Sequence, residues 1–330
     1  MRAWQVIELG EPSAVLRLAE TEVPVPAPGQ VIVRTLATAA NFPDVLMCRG
    51  QYQERPELPF TPGVELCGEV TALGDGVAEG TGLAIGDRVM GMPIRRHGGF
   101  AEYAVLPGDL VFPAPSTLDD AEASAFMIAY QTGWFALHKR TQLQPGETLL
   151  VHAAAGGVGS AAIQLGKAAG ATVIGVVGGP AKAAYARELG ADLVIDRHTE
   201  NFVTVVKEFT EGRGVDVVYD PVGGDAYNGS TKCIAFEGRI LVIGFAGGTI
   251  PNAALNHVLI KNYSVVGLHW GFYREKDPAA LFTCHAELEK LVAAGAIRPL
   301  ISERIGLEQV PDALQRLADG ETVGRICYVA

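Results

Sequence analysis

Residues 148–159, Thr-Leu-Leu-Val-His-Ala-Ala-Ala-Gly-Gly-Val-Gly, constrain this chain more than any other stretch. An apolar run breaks into glycines and then continues as a helical pattern, Ser160-Ala161-Ala162-Ile163-Gln164-Leu165-Gly166-Lys167. A strand feeding a glycine turn at a helix N-terminus aims several unpaired backbone N–H groups at one point, where the helix dipole also favours negative charge. A dinucleotide pyrophosphate suits that geometry. Ala155, Gly156, Gly157 and Val158 form the approach to the phosphates, Gly159 lets the helix pack close to the strand, and Ala154 stands where the usual fingerprint has its first glycine.

The surrounding sequence alternates strands and helices. Residues 171–177 form a second apolar, partly β-branched run, followed by a helical stretch from Pro180 to Leu189 that Gly190 stops. The pattern repeats through strands at 192–196, 215–219, 239–243 and 264–267, with helices near 202–210 and 226–235. Short strands joined by helical crossovers predict a parallel, doubly wound sheet in an α/β fold.

A site for the unphosphorylated dinucleotide usually offers an Asp or Glu at the end of the second strand to bind the ribose 2′-hydroxyl. Here that place is Val177-Gly178-Gly179. No carboxylate there repels a 2′-phosphate, whereas Lys182 and Arg197 stand within reach of one, so NADPH is favoured over NADH. Taken singly, each cation also fits a solvated surface charge.

The chain has 330 residues, 48% of them hydrophobic, enough for a large core and more than one domain usually holds. Its net charge of −11 argues against nucleic-acid binding as the main task. No apolar run approaches the ~18 residues of a membrane span. Met1-Arg2-Ala3-Trp4 opens without a signal-peptide pattern, so a cytoplasmic location is expected. Cys48, Cys67, Cys233, Cys284 and Cys327 are scattered, with no CxxC pair and no short Cys/His spacing, which predicts buried hydrophobes and no metal ligands.

Before the glycine turn the texture changes to β-branched residues with Gly and Pro, as in 30–37, 68–74, 86–90 and 100–105, which predicts a compact β domain over roughly the first 120 residues. The tail carries amphipathic helices at 286–294 and 311–318 and a closing strand, 325–329, expected to return to that first domain.

Several ordered motifs resemble the medium-chain dehydrogenase/reductase superfamily: Pro62-Gly63-Val64-Glu65-Leu66-Cys67-Gly68, Gly86-Asp87-Arg88-Val89, the glycine turn, and Asp220-Pro221-Val222-Gly223-Gly224. Within it the chain is similar to the zinc-free quinone oxidoreductases, the zeta-crystallin-like branch. The resemblance implies a GroES-like catalytic domain (1–122, completed by 267–330), a Rossmann NADP-binding domain (123–266) and a homodimer. It also locates the segments that hold catalytic zinc in the alcohol dehydrogenases. Here these are 39–44 and 63–65, which contain neither Cys nor His. Without that Lewis acid, reduction of an already polarised acceptor becomes the expected chemistry.

The same resemblance marks site residues. Asn41, Asp44 and Tyr52 are the catalytic candidates, with Asn41 also a cofactor anchor, Tyr52 a hydroxyl donor to a developing oxyanion, and Asp44 equally a structural cap. On the cofactor side it adds Tyr130 and Thr132 near the nicotinamide, and Gly244, Phe245, Leu268, His269 and Trp270 at the ends of the fifth and sixth strands, where open parallel sheets place ligands. His269 serves as proton donor or as a packing residue, and His152 is expected to be structural. Three functions remain open: reduction of a quinone, reduction of an activated C=C bond in an enone, enal or enoyl thioester, and a non-catalytic, crystallin-like NADPH-binding role.

Overall fold

The computed structural model describes residues 1–330. Seven strands come first: β1 (Arg2–Val6), β2 (Leu16–Glu20), β3 (Gln30–Ala39), β4 (Leu66–Leu73), β5 (Arg88–Gly91), β6 (Tyr103–Pro107) and β7 (Val111–Pro113), with helix α1 (Phe42–Cys48) between β3 and β4. Helix α2 (Met127–Trp134) then leads into six strands, β8 (Thr148–Val151), β9 (Thr172–Val177), β10 (Leu193–Asp196), β11 (Val215–Asp220), β12 (Ile234–Val242) and β13 (Ser264–Gly267). Helices α3 (Gly157–Ala168), α4 (Pro180–Glu188), α5 (Phe202–Phe209), α6 (Gly224–Cys233) and α7 (Leu255–Lys261) connect them. The chain finishes with α8 (Pro278–Ala293), β14 (Ile301–Ile305), α9 (Val310–Ala318) and β15 (Arg325–Val329).

Two compact units result, Met1–Met127 with Pro299–Ala330, and Ile128–Arg298. In the first, β3 pairs along one edge with β4 and along the other with β6 near its start and β15 near its end. The terminal strand does return to this unit, as expected. Val31, Val33, Leu66, Val70, Val89, Ala104 and Leu106 form one face of its core. The second unit holds a six-stranded sheet, all parallel, in the order β10-β9-β8-β11-β12-β13. Every residue of β8 is buried, which is why Leu149-Leu150-Val151 reads as a continuous apolar run, since helices cover both faces of such a sheet.

One expected boundary is corrected. Residues 267–298, assigned from the sequence to the first domain, belong to the second unit. Lys139 pairs with Asp277 at 2.9 Å, Arg140 Nε donates to the Gly267 carbonyl at 3.1 Å, and Gln164 exchanges hydrogen bonds with the Arg298 backbone at 2.9 and 2.7 Å. Those polar ties lie in side chains far apart in sequence, where pattern alone has no purchase. The last long helix also starts earlier than its amphipathic stretch suggests, because Asp277 caps it and Pro278 opens it.

Candidate active site

In the second unit the predicted phosphate-binding residues lie on the loop between β8 and α3. Gly156 is the N-cap of α3, and its own N–H bonds to the Ala153 carbonyl at 2.9 Å. The next three N–H groups, those of Gly157, Val158 and Gly159, lie in the first turn and have no carbonyl of the helix to bond. Ala153 adopts φ 47°, a left-handed conformation rare for a residue with a side chain and a mark of a tightly specified turn. Gly159 is required sterically: a Cβ there would lie 2.3 Å from the Ala153 carbonyl oxygen. Ala155 is buried beside the loop.

At the end of β9, Gly178 is flanked by the next strand's turn. A Cβ on it would meet Arg197 Nε and the His198 ring at 3.1 Å. Gly179 takes φ 93° as N-cap of α4, and its N–H donates to Asp196 Oδ1 at 2.9 Å, as does the His198 N–H at 3.0 Å. Asp196 therefore spends its carboxylate on the backbone, which holds its pKa below the usual range. Lys182 sits on the first turn of α4, its pKa pushed down by burial and by the nearby Arg197 guanidinium. The structure thus brings Gly178, Lys182 and Arg197 together.

Further predicted residues lie at the carboxyl ends of β12 and β13, two and three strands from β8 in the same sheet, and on α2. Val242 pairs in register with Gly267, and the Leu268 N–H donates to the Val242 carbonyl at 3.1 Å, so the segments Gly244-Phe245 and Leu268-His269-Trp270 leave the sheet side by side. Leu268 and Trp270 are buried; His269 is exposed and stacks on Phe272 with ring centroids 6.2 Å apart. Thr132 is buried on α2. The Tyr130 hydroxyl donates to Gln164 Oε1 at 3.0 Å, a contact that ties α2 to α3. His152 is buried edge-on against Phe202, with Nε2 2.9 Å from Ser230 Oγ, and burial lowers its pKa to about 4, the properties of a packing residue.

The first unit supplies the catalytic candidates. Asn41 is the N-cap of α1 and its amide is heavily committed: Nδ2 donates to the Ala39 carbonyl at 3.1 Å and to Glu65 Oε1 at 3.0 Å, while Oδ1 accepts from Arg325 Nη1 at 3.1 Å. Both N–H bonds are used, so what Asn41 retains is acceptor capacity. Asp44 is fully buried; Oδ1 accepts from the N–H groups of Gly63 and Val64 at 2.8 and 3.1 Å and Oδ2 from that of Asn41 at 2.9 Å. Of the two roles expected for it, this is the geometry of the cap. Burial pushes its pKa up to about 7 against those three hydrogen bonds. Tyr52 is half-buried, with the Arg95 guanidinium 5.9 Å from its ring centroid, and Arg95 is itself paired with Glu54.

Residues 27–116 match the family described as alcohol dehydrogenase GroES-like domain, and residues 157–284 match that described as zinc-binding dehydrogenase. Over 327 residues the chain is 40% identical to a quinone oxidoreductase-like protein 2 homolog from Nematostella vectensis, covering 98% of this chain and 88% of the relative. This chain is a medium-chain dehydrogenase/reductase of the quinone oxidoreductase branch. Among solved structures of this branch, the Escherichia coli quinone oxidoreductase complexed with NADPH superposes with a TM-score of 0.90 at 30% identity, covering 100% of both chains. A mycobacterial protein complexed with NADPH gives 0.92, also at 30% identity over 100% of both chains.

The superfamily's zinc-bearing members hold their metal on Cys and His, and this oxidoreductase offers no such set. Its five cysteines are buried and form no disulfide, and nowhere do three or more His, Cys, Asp or Glu side chains converge to hold an ion. The segments 39–44 and 63–65, marked by the resemblance, carry neither Cys nor His, and Glu65 in the second is turned to Arg325 at 2.5 Å. Glu65 and Arg325 are the members of this cluster that sequence reasoning missed. Glu65 lay in plain view in the Gly63-Val64-Glu65 motif; the signal for Arg325 was a cation at the start of an otherwise apolar closing strand.

Proposed function

We propose that this chain is an NADPH-dependent oxidoreductase that reduces a small conjugated carbonyl compound, a quinone being the favoured class, without a bound metal. The observation that carries the cofactor reading is the closeness of two cations, Lys182 and Arg197, beside Gly178, at a strand end where the Asp196 carboxylate is occupied by backbone N–H groups. NADPH, when bound, supplies the hydride. The chain's own groups then have distinct tasks. The N–H groups of Gly157, Val158 and Gly159 with the α3 dipole hold the pyrophosphate. Lys182 and Arg197 hold the 2′-phosphate by charge-assisted hydrogen bonds. Thr132, Gly244, Phe245 and the Leu268-His269-Trp270 segment border the nicotinamide.

On the substrate side, Tyr52 donates its hydroxyl to the oxygen that gains charge as hydride arrives. Asn41 contributes as an acceptor oriented by Glu65 and Arg325, and Asp44 positions the Gly63–Val64 backbone. Support for the quinone class comes from the names of the relatives and from the missing metal-ligand set; reduction of an activated C=C bond uses the same groups. Steady-state NADPH oxidation with ortho- and para-quinones, enones and enoyl thioesters tests the assignment. Turnover of quinones that survives chelator treatment is expected; exclusive turnover of enoyl thioesters, or retained NADPH binding with no turnover, overturns it.

We also propose a homodimer, formed by β13 of two copies. This strand is the edge of the parallel sheet, its outer side is largely exposed, and the preceding helix α7 presents Leu255, Leu259 and Ile260 at 75–77% exposure. A two-fold axis lets such an edge pair with itself and cover that apolar surface. Light scattering of the full chain should give twice the monomer mass.

A further inference from the structure

The second unit has a second concentration of positive charge, at the opposite end of its sheet from the glycine loop. Lys207, Arg213, Lys232 and Lys261 line one open depression of about 340 Å³ together with Gly212, Gly214, Cys233, Ile234 and Phe236. Gly214 immediately precedes β11 and Ile234 opens β12, so the depression lies at the amino ends of these strands, whereas the glycine loop follows the carboxyl end of β8, which runs parallel to β11. No carboxylate lines it. In a chain of net charge −11, four cations around one hollow are a local reversal of sign.

Helix ends explain part of this arrangement. Lys207, Lys232 and Lys261 each occupy the last turn of a helix, α5, α6 and α7, where a cation meets the negative end of the dipole. Lys261 Nζ donates to the Thr231 carbonyl at 2.9 Å in that way. Asp216 pairs with Arg213 at 2.6 Å from outside the hollow. At about half a charge per helix end, three ends and one carboxylate balance roughly two and a half of the four cations, and a net positive charge remains. Its cost is visible in Lys261, whose pKa is lowered by burial and by the neighbouring Lys207. Phe236, 71% exposed on the rim, adds a flat apolar face that water does not favour.

We propose that this depression binds a polyphosphate anion, a ligand whose charge matches the surplus. Lys207, Lys232 and Lys261 would contact its oxygens as point charges and Arg213 as a forked donor. Phe236 would take the base if the anion carries a nucleoside. The site is separate from the proposed cofactor site and does not depend on it.

Calorimetric titration of the full chain with inorganic tripolyphosphate tests the proposal, with Lys207→Gln/Lys261→Gln, Lys232→Gln and Lys182→Ala variants in parallel. One site per chain is expected, weakened at least tenfold in the double variant, weakened also in Lys232→Gln, and unchanged in Lys182→Ala. Circular dichroism checks that every variant is folded, and retained NADPH binding checks it further for the lysine-to-glutamine variants. No saturable binding to the wild type, binding that survives both lysine substitutions, or binding lost in Lys182→Ala would each overturn the proposal, the last by placing the anion at the cofactor side. ATP in place of tripolyphosphate separates the two sources. Tighter binding that drops to the tripolyphosphate level in Phe236→Ala identifies a nucleotide, and equal binding identifies the inorganic anion.

Discussion

Arg325 Nη2 donates to Glu65 Oε1 at 2.5 Å, across 260 positions of chain, and the side chains are only 7% and 1% exposed. The same guanidinium reaches Asn41 through Nη1, and the same carboxylate oxygen accepts from Asn41 Nδ2. One buried ion pair therefore fixes both ends of the Asn41 amide.

Removing one partner of a buried pair strands the other charge. Arg325→Met is accordingly expected to destabilise the protein by about 3–5 kcal/mol, while a Glu65→Met/Arg325→Met double variant recovers most of that loss. Denaturant midpoints measure both. In the double variant the freed Asn41 should lower kcat with little change in NADPH affinity, since the nucleotide is proposed to be held by the other unit. A single variant within 1 kcal/mol of wild type would remove the pair from any positioning role.

Lys182 and Arg197 give a test of cofactor choice. Lys182→Ala should weaken NADPH binding by roughly 1.5–3 kcal/mol, the scale of a hydrogen bond to a charged group, and leave NADH binding almost unmoved. Equal loss for the two nucleotides would take Lys182 out of the 2′-phosphate site.

Gly159→Ala should do the opposite and fail to discriminate. Its new methyl would lie 2.3 Å from the Ala153 carbonyl oxygen, a backbone atom, on a turn whose Ala153 is already held at φ 47°. The helix must move off the strand, and the N–H groups that hold the pyrophosphate move with it. NADPH and NADH affinities are expected to fall together, by tenfold or more. Gly156→Ala is milder, with its Cβ 3.2 Å from the same oxygen. Wild-type affinity in Gly159→Ala would show that the loop tolerates the shift.

The second unit's sheet was readable because local signals agree with tertiary need. β8 is fully buried and apolar after Thr148, and glycine or proline punctuates the crossovers, as at Gly170, Pro180 and Gly190. The glycine turn was readable for the same reason, since only certain residue types satisfy its backbone. Other features were hidden. The membership of 267–298 rests on Lys139–Asp277 and Gln164–Arg298, contacts between residues 134 or more positions apart, which no local periodicity encodes. At the site, Asn41 and Asp44 could be picked out by motif, but whether their polar atoms face a ligand or the protein depends on Glu65, Arg325 and the Gly63–Val64 backbone. Tyr130 shows the same limit: the resemblance marks it beside the nicotinamide, and the bond from its hydroxyl to Gln164 could not be read from the sequence.

Asp44 and His152 set up opposing responses to pH. Burial raises Asp44 to about 7, above the 3.8 of an exposed aspartate, so the stability it contributes is complete below pH 3.8 and is lost as pH rises through 7. Burial lowers His152 to about 4 from 6.5, so its contribution is complete above pH 6.5 and is lost as pH falls through 4. At 1.36 kcal/mol per unit, the Asp44 effect reaches about 4 kcal/mol and the His152 effect about 3 kcal/mol, and between pH 4 and 6.5 they run in opposite directions, one in each unit. The stability of wild type relative to Asp44→Asn should therefore decline from pH 4.5 to 7.5. Relative to His152→Gln it should climb over the same interval. Unfolding midpoints at stepped pH read both differences, and curves that stay parallel to wild type would show that neither group titrates inside the fold.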